Sequence, residues 1–110
     1  LFNVGGGPDA LAEAVHDVAQ RALNAVENQG AKILILTDRG LAPGQAAIPM
    51  LLATGAVQHR LIRAGLRLKC DIVAETGEAR EVHHLACLVG YGANAVNPYL
   101  ALATVRELAA

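Results

Sequence analysis

Helical and strand patterns alternate along the chain, and this alternation limits the fold more than any other feature of the sequence. Between residues 8 and 28 the apolar residues recur at steps of three or four, and Gly30 follows, which predicts an amphipathic helix with a glycine stop. The next apolar run, residues 33–36, is short and continuous, as in a parallel-sheet strand that is buried on both faces. The first two elements are therefore a helix and a buried strand.

The alternation continues to the C-terminus. We expect five further elements: a helix over 49–62 with a stop at Gly65, a strand over 68–74, a helix over 79–89, a short strand at 95–96, and a last helix from residue 98. Gly90 can supply a left-handed cap for the third helix. Asn97 is a favourable N-cap and Pro98 a favourable first residue for the last helix.

The resulting order, αβαβαβα, predicts an α/β fold with a short parallel sheet, because crossovers between parallel strands are helical and almost always right-handed. A length of 110 residues permits one domain at most, whereas a complete (β/α)₈ barrel needs roughly 250 residues. Three strands are few for an independent domain. We therefore expect residues 1–110, which start at Leu1, to be a single segment of a larger barrel-like or open-sheet domain.

The composition is also consistent with a segment. Hydrophobic residues make up 54% of the chain and charged residues 17%, against about 45–50% and about 25% in typical soluble domains. Surface that lacks charge in this way is commonly covered by other domains or subunits. We expect the isolated chain to self-associate for the same reason.

Charge and cysteine usage exclude several classes of partner. The net charge is -1 and no basic face stands out, so no nucleic-acid partner is expected. No apolar run reaches the roughly 20 residues that span a bilayer, so no membrane partner is expected either. Cys70 and Cys87 suit the reduced interior of a cytoplasmic protein better than a disulfide framework.

Polar residues follow each predicted strand. Because the strands are parallel, their exit loops meet at one edge of the sheet, where α/β proteins usually bind ligands. The residues expected at this edge are Asp38, Arg39, Glu75, Thr76, Glu78 and Asn97. They could bind a ligand, or they could cap helices and form ion pairs with each other, which is the commoner use of such groups.

Titratable groups are densest around the start of the third helix, in Glu78, Arg80, Glu81, His83 and His84. Either histidine could pair with Cys87 on one helix face, but a zinc site needs three or four ligands, and we expect no metal. A histidine–carboxylate general base is chemically feasible but lacks a nucleophile in a recognisable setting. We favour a polar helix face that forms hydrogen bonds with a neighbouring domain.

A glycine pattern at Gly90, Gly92 and Ala95 imitates the dinucleotide-binding fingerprint. That fingerprint must follow a strand and open a helix, so that helix amides face the pyrophosphate. Here a helix precedes the glycines and a strand follows them. We interpret them as a helix stop and a turn, and expect no cofactor there.

Three stretches of the sequence resemble the large chain of glutamate synthase, in the central domain between its amidotransferase and FMN-binding domains. They are residues 33–40 (ILILTDRG), 48–65 (IPMLLATGAVQHRLIRAG) and 75–100 (ETGEAREVHHLACLVGYGANAVNPYL). The segment GEAREVHH, followed by GYGA and NPYLA, is long and unusual in composition, so it is a specific signal. The resemblance covers nearly all of residues 33–100.

This resemblance implies a large oxidoreductase of glutamate biosynthesis and ammonia assimilation. Such an enzyme hydrolyses glutamine, passes ammonia through an internal tunnel and adds it reductively to 2-oxoglutarate, giving two glutamates. FMN and an iron–sulfur cluster would carry electrons from a reductase subunit or ferredoxin. The family's glutaminase cysteine and its flavin and cluster ligands lie in other domains, and Cys70 and Cys87 match none of those motifs, so the resemblance implies no catalytic, cofactor-binding or metal-binding residue here.

The resemblance implies a structural role, in which this segment positions the glutaminase and FMN domains and borders the ammonia tunnel. The residues it assigns to interdomain or tunnel-wall contacts are Asp38, Arg39, Glu75, Glu78, Arg80, His83, His84 and Asn97. An alternative is an independent α/β module that binds an anionic metabolite through Arg39, Arg80 and helix N-termini. A third hypothesis, a standalone enzyme that uses His83 or His84, ranks last.

Overall fold

A computed structural model describes residues 1–3, 5, 7, 9–40 and 43–109. Its elements are β1 (Phe2–Asn3), α1 (Ala10–Gln29), β2 (Ile33–Thr37), β3 (Gln45–Ala46), α2 (Met50–Arg63), a 3₁₀ turn (Arg67–Lys69), β4 (Asp71–Glu75), α3 (Val82–Gly90), β5 (Ala95–Asn97) and α4 (Tyr99–Ala109). The predicted α/β class and the αβαβαβα order are confirmed by the series α1, β2, α2, β4, α3, β5, α4. The predicted helix start at Pro8 lies outside the described residues.

The central sheet is parallel and has the strand order β2-β4-β5. It is open and does not close into a barrel. Phe2 and Asn3 of β1 pair with Ala46 and Gln45 of β3 in a separate antiparallel ladder. The sequence analysis did not predict this ladder, because strands of two residues are too short to show a periodicity.

One face of the sheet is covered by α1, α2 and α3. The first core cluster joins Leu34 of β2 and Ile72 of β4 to Val26 of α1 and to Val57 and Leu61 of α2. The second core cluster extends the same layer toward α3, and its buried residues are Met50, Ala74, Ala79, Leu88 and Ala93. Both clusters lie on the helix side of the sheet, so the hydrophobic core is one-sided.

The opposite side of the sheet carries side chains that no described element covers. The expectation that the 33–36 strand is buried on both faces is wrong for this chain, because Ile33 and Ile35 are 61% and 62% exposed. Val73 and Ala95 lie opposite Ile35 in the same row across the three strands. We call this side, with Ile33, Ile35, Val73 and Ala95, the open face.

Two details of the predicted boundaries need correction. Gly90 is the last residue of α3 and not its left-handed cap; the positive φ in this turn is at Gly92, at 124°. Strand β4 begins at Asp71 and not near residue 68, because Arg67–Lys69 form a 3₁₀ turn. The Arg67 guanidinium holds this turn by donating hydrogen bonds to the carbonyl oxygens of Cys70 at 2.8 Å and Gly92 at 2.7 Å.

The predicted glycine stops of the first two helices are confirmed. Gly30 directly follows α1 with a φ of 67°, and Gly65 follows the C-cap of α2, Ala64, with a φ of 73°. Among the described residues no helix is both long enough and apolar enough to cross a membrane.

Candidate functional site

A row of three polar side chains crosses the sheet at the C-terminal ends of its strands. Thr37, Glu75 and Asn97 are neighbours in register on β2, β4 and β5. Glu75, in the centre, accepts a hydrogen bond from the Thr37 hydroxyl on Oε1 at 2.7 Å and another from Asn97 Nδ2 on Oε2 at 3.1 Å. Arg39 Nε lies 2.9 Å from Glu75 Oε1 and completes an ion pair. The central carboxylate therefore has partners on both sides and a positive charge beside it.

Asp38 connects this row to the loop after β4 and to α4. Its carboxylate accepts hydrogen bonds from the Thr76 hydroxyl at 2.6 Å, the Tyr99 phenol at 2.6 Å and the Gly77 backbone N–H at 3.1 Å. Thr76 is fully buried, and its hydroxyl oxygen also accepts from the Glu78 backbone N–H at 3.0 Å. One carboxylate thus ties together the ends of β2 and β4 and the first residue of α4.

Arg39 and Tyr99 join the two carboxylates into one network. The Arg39 guanidinium carbon lies 4.1 Å from the centre of the Tyr99 ring, within the range of a cation–π contact. We call this network the exit-edge cluster; its members are Thr37, Asp38, Arg39, Glu75, Thr76, Asn97 and Tyr99.

The network shifts the pKa values of Tyr99 and Glu75 in opposite directions. The hydrogen bond that Tyr99 donates to Asp38 raises the pKa of the phenol to about 12, with burial adding to the effect. The hydrogen bond from Thr37 lowers the pKa of Glu75, and Arg39 and Asn97 act in the same direction against desolvation. Because the pKa of Glu75 is lower in the folded state, the hydrogen bonds and ion pair of its carboxylate stabilise the fold above the ordinary pKa of 4.5. This stabilisation is lost as the pH falls below that value. At neutral pH Glu75 is therefore a carboxylate and Tyr99 a hydrogen-bond donor.

Glu78 lies apart from the exit-edge cluster, at the start of α2. Its Oε2 accepts a hydrogen bond from the Met50 backbone N–H at 2.8 Å. Pro49, the residue before the helix, provides no side-chain cap, so Glu78 satisfies one of the free N–H groups and complements the positive end of the helix dipole. This contact fastens the β4–α3 loop to α2.

The remaining predicted residues make local contacts at the start of α3. His84 Nδ1 accepts from the Arg80 backbone N–H at 3.0 Å, and His84 Nε2 lies 3.7 Å from Glu81 Oε1. His83 Nε2 lies 3.6 Å from Cys87 Sγ. Within the described part of the chain, no three His, Cys, Asp or Glu side chains are placed to hold a metal ion. Arg80, His83 and His84 therefore form a second polar surface, separate from the exit-edge cluster.

The described residues do not fit an iron–sulfur cluster or a flavin phosphate. An iron–sulfur cluster needs more than two ligands, usually thiolates, and the chain has two cysteines. Cys70 is buried, and burial raises the pKa of its thiol, which disfavours the thiolate that binds metals. Arg39, the cation at the exit edge, is already paired with Glu75.

The sequence analysis missed Tyr99 and placed Asn97 correctly at the exit edge. Its further expectation that Asn97 caps the last helix is wrong, because Asn97 is the last residue of β5 and α4 begins at Tyr99. The Asn97 amide donates to Glu75 on the neighbouring strand. Tyr99 lies just beyond the third strand, after Pro98, so the rule that exit loops share one edge would have included it. Thr37, as the last residue of β2, could have been found in the same way.

The fold and this geometry define a small α/β unit with an internally paired polar edge and an uncovered apolar sheet face. Residues 1–110 match the family described as glutamate synthase central domain, and the chain belongs to that family. The predicted resemblance is therefore confirmed.

The chain is also similar to several glutamate synthases. It is 50% identical over 105 residues to ferredoxin-dependent glutamate synthase 2 of Synechocystis sp., covering 92% of this chain and 7% of that protein. It is 48% identical over 97 residues to the glutamate synthase [NADPH] large chain of Bacillus subtilis, covering 88% of this chain and 6% of that protein. Ferredoxin-dependent glutamate synthase 1 of Arabidopsis thaliana, named as chloroplastic/mitochondrial, is 46% identical over 104 residues. The chain thus spans about 6–7% of the length of these relatives.

Proposed function

We propose that this chain is a structural part of a glutamate synthase, in which it packs between the glutaminase and FMN domains and holds them at a fixed separation. The observation that carries the proposal is the open face. Parallel sheets are normally covered on both faces, and here Ile33 and Ile35 stand more than half exposed on one of them. In this proposal a neighbouring domain of the same chain covers them.

The pairing within the exit-edge cluster supports a structural role over a chemical one. Asn97 and Arg39 bond to Glu75, and Asp38 accepts from Thr76 and Tyr99, so the polar atoms are used within the cluster and stiffen the loops of the sheet edge. In the intact enzyme these residues would present a rigid polar border to the adjoining domain. The second polar surface, with Arg80, His83 and His84 beside Glu78, would supply further interdomain hydrogen bonds. Either the exit-edge cluster or the second polar surface would form part of the ammonia tunnel wall.

The chemistry proposed for the whole enzyme belongs to its other domains. They would convert glutamine, 2-oxoglutarate and reductant into two glutamates, with FMN and an iron–sulfur cluster as electron carriers. The names of the relatives include both ferredoxin and NADPH. Ferredoxin or a reductase subunit is accordingly the proposed electron-donating partner.

Two contacts argue against an independent module that binds an anionic metabolite. Arg39, its main cation, is paired with Glu75 and stacked on Tyr99. The start of α2, its best helix N-terminus, already receives the Glu78 carboxylate. An incoming anion would have to compete with both carboxylates.

The open face is tested by replacing Val73 with threonine in the full-length enzyme. The substitution Val73→Thr keeps shape and strand propensity and exchanges one methyl group for a hydroxyl. Under a covering domain that hydroxyl has no assured partner, and burying it costs about 1–3 kcal/mol. We expect a lower melting temperature and more glutamine hydrolysed per glutamate formed.

The matched control is Val89→Thr on α3, in the helix layer, where Val89 is 57% exposed. Threonine and valine have similar helix propensities, so this variant should behave as wild type. Wild-type behaviour of both the Val73 and the Val89 variant would mean that the open face faces solvent in the enzyme, which is incompatible with the proposal.

A further inference from the structure

Strand β2 has one paired and one unpaired edge. The Lys32 carbonyl accepts from Asp71 N–H at 2.9 Å, and Asp38 N–H donates to the Glu75 carbonyl at 3.2 Å, so the even-numbered residues direct their backbone groups at β4. Backbone direction alternates along a strand. The N–H and C=O groups of Ile33, Ile35 and Thr37 therefore point to the other edge, where no strand of the described residues is paired.

This edge lacks the features that normally keep sheet edges from pairing. Native proteins protect edge strands with lysines, prolines, bulges or covering segments. The β2 sequence, ILILT, has no charge and no proline, and it pairs with β4 in continuous register without a bulge. An uncharged edge of five residues, four of them apolar, is therefore a template for another strand.

The topology indicates where such a strand comes from. Helices α1, α2 and α3 lie on the same face, and the crossovers through α2 and α3 run in one direction, from β2 to β4 to β5. Helix α1 leads into β2 in the same layer. Since crossovers in one sheet share the same hand, a strand connected through α1 must lie beside β2, on the side away from β4.

The space at that position is a groove between α1 and β2. On the α1 side the groove is lined by Val18, Ala22 and Ala25 and also by the polar residues Arg21, Asn24 and Gln29, and the strand side runs from Leu34 to Leu36. Small side chains on α1 leave room beneath an added strand. A second pocket shares Ile35 and Leu36 with this groove, and its lining also includes Leu1 and Thr37.

We propose that in the intact protein an extended segment of the same polypeptide, on the N-terminal side of α1, occupies this groove as a parallel strand. It would pair with the backbone groups of Ile33, Ile35 and Thr37 and place small apolar side chains against α1. Strand β1 pairs with β3 and not with β2, so the proposed strand is not among the described residues. The inference depends on the sheet topology and does not require the scaffold role.

Residue-resolved hydrogen exchange on the full-length protein tests this directly. The amides of Leu34 and Leu36 are internal controls, because they pair with β4. We expect the amides of Ile33, Ile35 and Thr37 to be protected to the same order as these controls. Fast exchange at the three odd positions beside slow exchange at the controls would overturn the proposal. So would protection that depends on protein concentration, since that would indicate a second copy at the edge.

A pair of variants separates strand pairing from simple covering. Ile35→Pro removes the N–H that faces the groove, whereas Ile35→Thr keeps the N–H and a β-branched side chain. If a strand is paired there, the proline variant should have a lower melting temperature than the threonine variant and faster exchange at Ile33 and Thr37. Equal melting temperatures would mean that the edge is free or covered without backbone pairing, and either result rejects the added strand.

Discussion

Two threonines of the chain are fully buried but differ in their hydrogen bonds. Thr76 donates to Asp38 and accepts from Glu78 N–H, whereas the Thr54 hydroxyl on α2 has no partner among the described residues. Replacing Thr54 with isosteric valine removes a desolvated polar group that forms no bond. We expect Thr54→Val to raise the free energy of unfolding by about 1 kcal/mol, measured by urea denaturation of the 110-residue chain.

The same substitution at Thr76 is the matched comparison and should have the opposite sign. Thr76→Val leaves Asp38 and the Glu78 amide each short of a partner, and such losses cost about 1–3 kcal/mol. Destabilisation by both variants would contradict the assignment of the Thr54 hydroxyl as unpaired.

At the residue scale, the members of the site were more predictable than their pairing. Parallel strands place Asp38, Arg39, Glu75 and Asn97 at one edge whatever the details of packing. Which of them pair depends on register and side-chain reach: Asn97 donates to Glu75 because β4 lies between β2 and β5. The phenol of Tyr99 reaches Asp38 across 61 residues of sequence, a contact to which no local pattern points.

At the scale of elements, α4 is attached to the sheet mainly through its first residues. None of its residues is buried, while Tyr99 bonds to Asp38 and Leu100 lies against Gly77. A Cβ atom on Gly77 would be 2.5 Å from Leu100 Cδ1 and 3.1 Å from Leu100 Cγ. Gly77 therefore allows the close approach of α4 to the β4–α3 loop.

We expect Gly77→Ala to destabilise the chain by about 1–3 kcal/mol, because overpacking forces Leu100 or α4 to move. Leu100→Ala should relieve the clash, so the double variant should be more stable than the sum of the two single effects predicts. The measurement is a double-mutant cycle on free energies of unfolding. Additive effects would show that Leu100 of α4 is not packed tightly against Gly77 in this loop.

Elements with a clear periodicity were predictable, and their surroundings were not. The long helices α1 and α2 follow their apolar spacing and end at the predicted glycines. The apolar run in β2 predicted a strand, but its burial depends on what packs against the second face. A strand that is covered on both sides has the same apolar sequence pattern. The pattern therefore does not indicate that one face of this sheet is open.

At the scale of the whole molecule, the chain is less compact than an independent domain of its size. Its radius of gyration is 14.6 Å, against about 13 Å expected for this length. Its accessible surface is 6916 Å², against about 5,800 Å² expected for a folded monomer of 11.4 kDa. The excess agrees with a sheet that is covered on one side.

The last prediction follows from this uncovered surface. The purified 110-residue chain should self-associate, because the open face and the free edge of β2 together expose apolar groups that a single copy cannot bury. Ile35→Lys puts a charge on this surface and should shift the chain toward monomer in sedimentation velocity. The control is Ile62→Lys on α2, where Ile62 is 51% exposed, and it should leave association unchanged.

A different result would favour the metabolite-binding alternative. A ligand at 100 times its dissociation constant stabilises a native monomer by about 2.7 kcal/mol if it binds only the folded state. A monodisperse chain whose unfolding shifted in this way with glutamine, 2-oxoglutarate, glutamate or FMN would make the exit-edge cluster a binding site. For a scaffold segment we expect no saturable shift with any of the four, since Arg39 and the start of α2 already hold the carboxylates of Glu75 and Glu78.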